Sequence, residues 1–172
     1  KKLRSTLPVG IFPQVLITIG PLDEPLLETL TQKLKAELAG DFDQLLWYRS
    51  SQHPSHTLEH LGALFQFATR VIAPSTGPLH LAKALGRPVA GIYSPIWVQS
   101  YLRWGPFPPS GNQDLLLEPP VACPAIRKCH GEYCVQYNCM DRLEIHRFVE
   151  QIVLLDCKGE RYDIEFDVPS IF

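Results

Sequence analysis

The stretch "PSTGPLHLAKALGRPVAGIYSP", residues 74 to 95, decides the fold. It follows a short β-forming run, "RVIA" at 70 to 73, and breaks at Thr-Gly-Pro. It then makes two or three helical turns, stops at Gly-Arg-Pro and resumes as β at "PVAGIY", 88 to 93. Gly77 suits a cap, Pro78 falls where a missing N–H costs nothing, and Gly86 with Pro88 ends the helix. Strand, polar turn, helix and strand make one βαβ unit.

The same alternation extends in both directions. "QVLITI" (14 to 19) reads as a strand and is followed by a helix over 23 to 40. There Asp23 is placed to cap, Pro25 sits in the first turn, and Leu26, Leu27, Leu30, Leu34 and Leu38 form a stripe ended by Gly40. "QLLWYR" (44 to 49) is the next strand, and "TLEHLGALFQFA" puts Leu58, Leu61, Phe65 and Ala68 on one helical face. "DLLLE" (114 to 118) is a fifth strand. Asp141 and Glu144 have capping-box spacing ahead of a last helix carrying Ile145, Phe148, Val149, Ile152 and Leu155. Strands alternating with helices at this spacing imply crossovers, hence a Rossmann-like α/β domain with a parallel sheet and helices on both faces.

Composition sets the outer bounds. A chain of 172 residues, 45% apolar, supports one domain with a real core. Its 16 basic residues are scattered and its net charge is −2, so nucleic acid is not the expected partner. No apolar run approaches the ~20 residues of a membrane span, and "KKLRSTLPVGIFP" lacks the apolar region of a signal peptide. A cytoplasmic protein is expected. Cys123, Cys129, Cys134 and Cys139 fall in one segment, 121 to 140, with spacings unlike the paired C-x-x-C of a zinc ribbon. The spacing favours reduced thiols without metal, with zinc or a disulfide as alternatives and His130 as a further ligand.

In a parallel α/β sheet, ligands sit beyond the carboxyl ends of the strands. The turn from Ser75 to His80 has that location. Gly77 allows close backbone approach, Thr76 adds a hydroxyl, and a helix opening at Pro78 presents roughly three free N–H groups and a positive dipole end. Pyrophosphate suits such a turn. Polar strand-to-helix turns are also common structural punctuation, and neither G-x-G-x-x-G nor G-x-x-x-x-G-K-[ST] is present.

"STGPLHLAKALGRPVAGIYSP" resembles the D-[ST]-G-P-x-H-L-A-x-A-L-G-x-P-V segment of the family-nine glycosyltransferases, the heptosyltransferases of lipopolysaccharide inner-core synthesis. "TLEHLGALFQFATRVIAPSTG", "RWGPF" (103 to 107) and "NCMDRLEIHRFVEQI" are similar to neighbouring parts of that family. The resemblance implies the second, donor-binding domain of a GT-B glycosyltransferase. Residues 14–156 would form that domain, 1–13 an extension or linker, and 157–172 a tail. It implies a nucleotide-sugar donor, possible in the family as ADP-heptose, held by Ser75, Thr76, Gly77, Pro78, Leu79, His80 and Thr18. It also implies a glycan or lipid-linked acceptor bound through an N-terminal domain, and a location in the cytoplasm or peripheral at the inner membrane. No cofactor, metal ligand or catalytic residue is expected in this chain.

Two departures from the family pattern bear on strength of binding. Ser75 stands where the family has Asp, replacing a charged acceptor for sugar hydroxyls by a weaker neutral one. The Lys that follows the first strand in the family is missing from "TIGPLDEP", where Asp23 and Glu24 add negative charge. The family's general base belongs to the first domain, so this chain alone is not expected to turn over. Two readings follow: the donor-binding half of a glycosyltransferase, or a non-catalytic binding or scaffold module descended from one.

Overall fold

Among residues 14–53, 55, 57–107 and 113–158, which the computed structural model describes, five apolar runs become short strands. They are β1 Leu16–Ile19, β2 Leu46–Arg49, β3 Val71–Pro74, β4 Val89–Ile92 and β5 Leu115–Leu117. All ladders are parallel, with Leu16 opposite Leu46, Val71 opposite Val89 and Ala90 opposite Leu115. They form two sheets, β1-β2 and β3-β4-β5, and no ladder joins β1 to β3 among the described residues. The expected extension 1–13 and the tail beyond Lys158 lie outside the described residues.

Successive strand residues point to opposite faces, and β4 uses both. On one face Val89 packs with Phe65, Val71, Leu79, Ala82 and Tyr93, beneath the helices α2 Thr57–Phe67 and α3 Gly77–Ala84. On the other, Ala90 packs with Leu117, Phe148 and Ile152 of the last helix. Taken in chain order, α1 is Leu27–Leu38, α4 is the single turn Tyr101–Trp104, and α5 is the last helix, Ile145–Lys158. The chain is therefore the expected α/β type, with parallel strands flanked by helices.

Three local expectations differ from what the structure shows. Asp23 does not cap α1: its backbone is already helical (φ −91°, ψ −15°), and its carboxylate turns back to accept from the Gly20 N–H at 2.9 Å. A 3-10 turn, Glu24–Leu26, comes first and holds Pro25. No residue of α1 is fully buried, so its leucine stripe is only a shallow contact. The Asp141–Glu144 capping box is not formed either. Asp141 lies in a separate 3-10 turn, Cys139–Arg142, Leu143 is extended, and the Glu144 carboxylate accepts from Arg147 at 2.9 Å.

Helix α3 ends as its sequence requires. Gly86 takes φ +74°, its N–H donates to the Lys83 carbonyl at 2.9 Å, and the Arg87 N–H reaches the Ala82 carbonyl at 3.0 Å. This pair of bonds satisfies carbonyls that the helix end would otherwise strand. Gly91 serves another purpose: a Cβ there would come within 2.5 Å of the Tyr93 ring, so only glycine lets that ring lie against β4.

The end of the sheet that carries the strand starts is held by buried charge. The Lys83 ammonium, on α3, meets the Asp114 carboxylate at 2.6 Å, and both side chains are buried. The other Asp114 oxygen accepts from the Val89 N–H at 3.1 Å, so one carboxylate ties α3, β4 and the start of β5. Beside it, the buried Arg70 guanidinium donates to Asp156 of α5 at 2.8 Å and to the carbonyl of Gln113 at 2.5 Å. Removing one partner of a buried ion pair strands the other charge in low dielectric, which costs about 3–5 kcal/mol. Asp114→Ala is expected to lower the unfolding free energy by about that amount in urea titration. The double variant with Lys83→Met should recover much of the loss.

Candidate functional site

A cleft of about 610 Å³ opens where β3 and β4 end. Its floor is Pro74 and Ile92, the last residues of the two strands, with Tyr93 and Ser94 continuing β4. The Ser75 N–H donates to the Ile92 carbonyl at 3.0 Å, extending the strand pairing by one residue into the turn. Ser75, Thr76, Gly77 and His80 form one wall. Gln99 and Trp104, from the segment after β4, and Met140, from the cysteine-bearing segment, complete the lining.

The turn differs in detail from the sequence expectation. Helix α3 begins at Gly77, one residue before Pro78, with Thr76 in the cap position (φ −137°, ψ 174°). The Thr76 hydroxyl does not cap; it donates to the Pro74 carbonyl at 3.2 Å. The expected set of three free N–H groups shrinks as well. Thr76 N–H bonds the Pro74 carbonyl at 2.7 Å, while Leu79 and His80 N–H both turn to the Thr76 carbonyl at 3.0 and 3.4 Å. Pro78 has no N–H to give. Gly77 alone in this turn keeps an N–H without a partner among the described residues, and nothing stands within 4 Å of where its Cβ would be.

Of the residues expected to hold a donor, Ser75, Thr76, Gly77 and His80 are brought together in the cleft. Leu79 is not: its side chain is 1% exposed and belongs to the core. Pro78 is outside the lining, and Thr18 sits in β1 opposite Tyr48, in the other sheet. Spacing could not separate Leu79 from its neighbours, because a residue within one helical turn of the site can point inward.

The cleft also uses residues that the sequence did not single out. Tyr93 is fully buried, donates its hydroxyl to the Trp104 carbonyl at 3.3 Å, and is pushed up to about 12 by burial, with the Asp114 charge adding to it. It therefore stays a neutral hydrogen-bonding phenol. The Trp104 indole N–H is fixed to the Val98 carbonyl at 2.8 Å, and its ring stands 6.1 Å from that of His80. The family-like stretches "RWGPF" and "NCMDRLEIHRFVEQI" contain Trp104 and Met140, but neither singles out the residue that lines the cleft. Among the described lining residues there is no carboxylate, lysine or arginine. Glu118, just past β5, accepts from the Tyr101 N–H, is raised by burial, and keeps Oε1 buried without a partner among the described residues.

The added acidity near β1 is compensated. Arg49 grips Glu24 at 2.6 Å and Ser51 donates to it at 2.6 Å, and these hydrogen bonds hold the Glu24 carboxyl below its ordinary range. The four cysteines Cys123, Cys129, Cys134 and Cys139 are free thiols. Burial raises the Cys139 thiol, and its three cysteine neighbours raise it further. Among the described residues no three His, Cys, Asp or Glu side chains are already arranged to seat a metal ion. No described helix is long and apolar enough to cross a membrane.

Comparison with known proteins adds the family. No curated protein and no solved structure matches the chain. The family model for glycosyltransferase family 9 (heptosyltransferase) matches residues 32–126, more than half of the chain and all of the β3–α3–β4 unit that builds the cleft. With parallel strands, flanking helices and a polar turn at the strand ends in agreement, the chain belongs to glycosyltransferase family 9.

Proposed function

We propose that this chain binds a nucleotide-sugar donor by its diphosphate at the β3–α3 turn, as the donor half of a heptosyltransferase-like glycosyltransferase of lipopolysaccharide or other surface-glycan synthesis. The observation that carries the reading is the Gly77 N–H, which is without a partner at the head of α3 and opens on the cleft with no Cβ in the way. A helix N-terminus is electropositive, and an N–H held there is pre-aimed at an anion. The Thr76 and Ser75 hydroxyls flank it, and Tyr93, buried behind the cleft and held neutral, brings no opposing charge.

Acceptor binding and proton abstraction would fall to another domain or chain. Deprotonating an acceptor hydroxyl needs a positioned base, and the described cleft offers no carboxylate. That same feature favours a second reading, a binding module without turnover, because Ser75 stands where the family's carboxylate would hold the sugar.

Two variants test the reading. Gly77 has ordinary helical backbone and open space around it, so Gly77→Val should leave thermal stability within about 0.5 kcal/mol of the parent, the usual range for exposed positions. It should still weaken nucleoside diphosphate binding by calorimetry several-fold, through bulk at the phosphate. Unchanged binding would remove the turn as the site.

Ser75→Asp tests the sugar end. In the parent, a nucleoside diphosphate and its sugar conjugate should bind with similar, weak affinity, and the unphosphorylated nucleoside far less. A carboxylate at position 75 should improve only the sugar conjugate, because a charge-assisted hydrogen bond contributes about 1.5–3 kcal/mol against about 1 for a neutral one. Equal gain for both ligands would show that residue 75 does not face the sugar.

A further inference from the structure

Trp104 is held more firmly than an exposed aromatic requires. It ends the single turn α4, where its N–H donates to the Ser100 carbonyl at 3.0 Å and its carbonyl accepts from the buried Tyr93 hydroxyl at 3.3 Å. The indole N–H is spent on the Val98 carbonyl at 2.8 Å. Two further segments brace the turn. The Tyr101 N–H at its start donates to the Glu118 carboxylate beyond β5, and the Trp97 and Val98 N–H groups donate to the Ala125 and Ile126 carbonyls at 3.4 and 3.1 Å. The Tyr93 and Tyr101 rings meet edge to face at 6.3 Å. With its backbone fixed in this way, Trp104 is still 49% exposed and lines the cleft.

Such a residue offers a ligand one kind of contact. An indole whose single donor is already bonded inside the protein presents a fixed ring, with no polar group left to give. His80 stands beside it, with ring centroids 6.1 Å apart and planes tilted by 58°. Met140, 41% exposed, adds to the same cleft a polarisable thioether, a side chain that packs well with aromatic rings. No carboxylate, lysine or arginine is among the described lining residues, so this surface matches a flat, uncharged group. The hydroxyls of Ser75 and Thr76 come before Gly77 in the turn, whereas His80 lies one helical turn after it. A diphosphate on the Gly77 amide would therefore have the hydroxyls toward β3 and the aromatic rings toward the helix.

We propose that the Trp104 ring is the stacking platform for the nucleobase of the ligand whose diphosphate is held at Gly77. The proposal rests on the donor-site reading, because the diphosphate is what brings the base to the ring. A nucleoside diphosphate is then the smallest ligand that uses both ends of the cleft, and the sugar of a conjugate falls on the Ser75 side. Every base has a π-face, so a platform without a free donor or acceptor registers that a base is present and not which base it is. Purine and pyrimidine diphosphates are both accepted on this account. The braced turn matters because a ring fixed before binding loses no rotamer freedom when the base arrives.

The probes are inorganic pyrophosphate, abasic ribose 5-diphosphate, adenosine diphosphate and its hexose conjugate, titrated by calorimetry into the full chain and into Trp104→Ala and Trp104→Phe. The parent is expected to bind adenosine diphosphate about tenfold more tightly than the abasic compound, the order that one base–aromatic stack supplies. Trp104→Ala should remove that advantage, weaken the hexose conjugate by the same factor, and leave pyrophosphate and the abasic compound unchanged. Trp104→Phe, which keeps a ring, should retain most of the advantage. The comparison of the two ribose diphosphates in the parent stands even if a variant fails to fold. Equal affinity of those two, no effect of Trp104→Ala on adenosine diphosphate, a loss confined to the hexose conjugate, or a loss shared equally with pyrophosphate would each overturn the platform. The donor-site reading is read separately, from pyrophosphate binding and its weakening in Gly77→Val; binding of none of the four ligands would overturn both.

Discussion

The carboxylate of Asp114, buried between the Lys83 ammonium and the Val89 N–H, is the interaction on which the arrangement of the cleft depends. It lies at the far end of the sheet from the cleft and sets the seating of α3 against β4 and β5. Because α3 is only eight residues long, its C-terminal anchoring also sets where its N-terminus stands. The turn with Gly77 is thus positioned by a charge pair at the opposite end of the same short helix. The buried Arg70 guanidinium, reaching Asp156, Gln113 and Val89, adds α5 to that clamp. Buried pairs of this kind contribute little net stability against an apolar replacement but fix one arrangement over others.

Above the clamp, packing decides which residues face the cleft. Val89 and Ala90 send their side chains to opposite faces, so α3 and α5 cover the sheet from two sides while the strand ends remain open. Gly91 leaves room for Tyr93 to cross β4, and Tyr93 in turn carries the Trp104 carbonyl and its loop. One missing Cβ in a strand therefore shapes the distal wall of the cleft. The result is a largely apolar cleft that carries the Ser75 and Thr76 hydroxyls and the Gly77 amide on one turn, with no lysine or arginine among its described lining residues.

The fold was legible because it rests on periodicity. The apolar runs "QVLITI", "RVIA" and "PVAGIY" each contain or overlap a strand, and Gly86 ended α3 through the left-handed turn that only glycine adopts without strain. Helix starts were less legible. Asp23 and the Asp141–Glu144 pair had the right residue types, but capping needs an extended backbone at the cap, and the local chain adopted 3-10 turns instead. Ser75, Thr76, Gly77 and His80 line one cleft because they share one strand-to-helix turn, which a local pattern can register. Lys83 with Asp114 and Met140 in the cleft are contacts between distant segments, and no local pattern encodes them. Leu79 shows the reverse error, a residue inside the motif whose side chain serves the core.

The central claim is that the β3–α3 turn binds a diphosphate through the Gly77 amide. Its most direct test is the amide resonance map of the ¹⁵N-labelled protein during titration with a nucleoside diphosphate, with the unphosphorylated nucleoside as control. The account predicts the largest shift at Gly77, with accompanying shifts at Ser75, Thr76 and His80, and no comparable change from the nucleoside. Shifts confined to residues outside the cleft, or an equal response to the nucleoside, would contradict it.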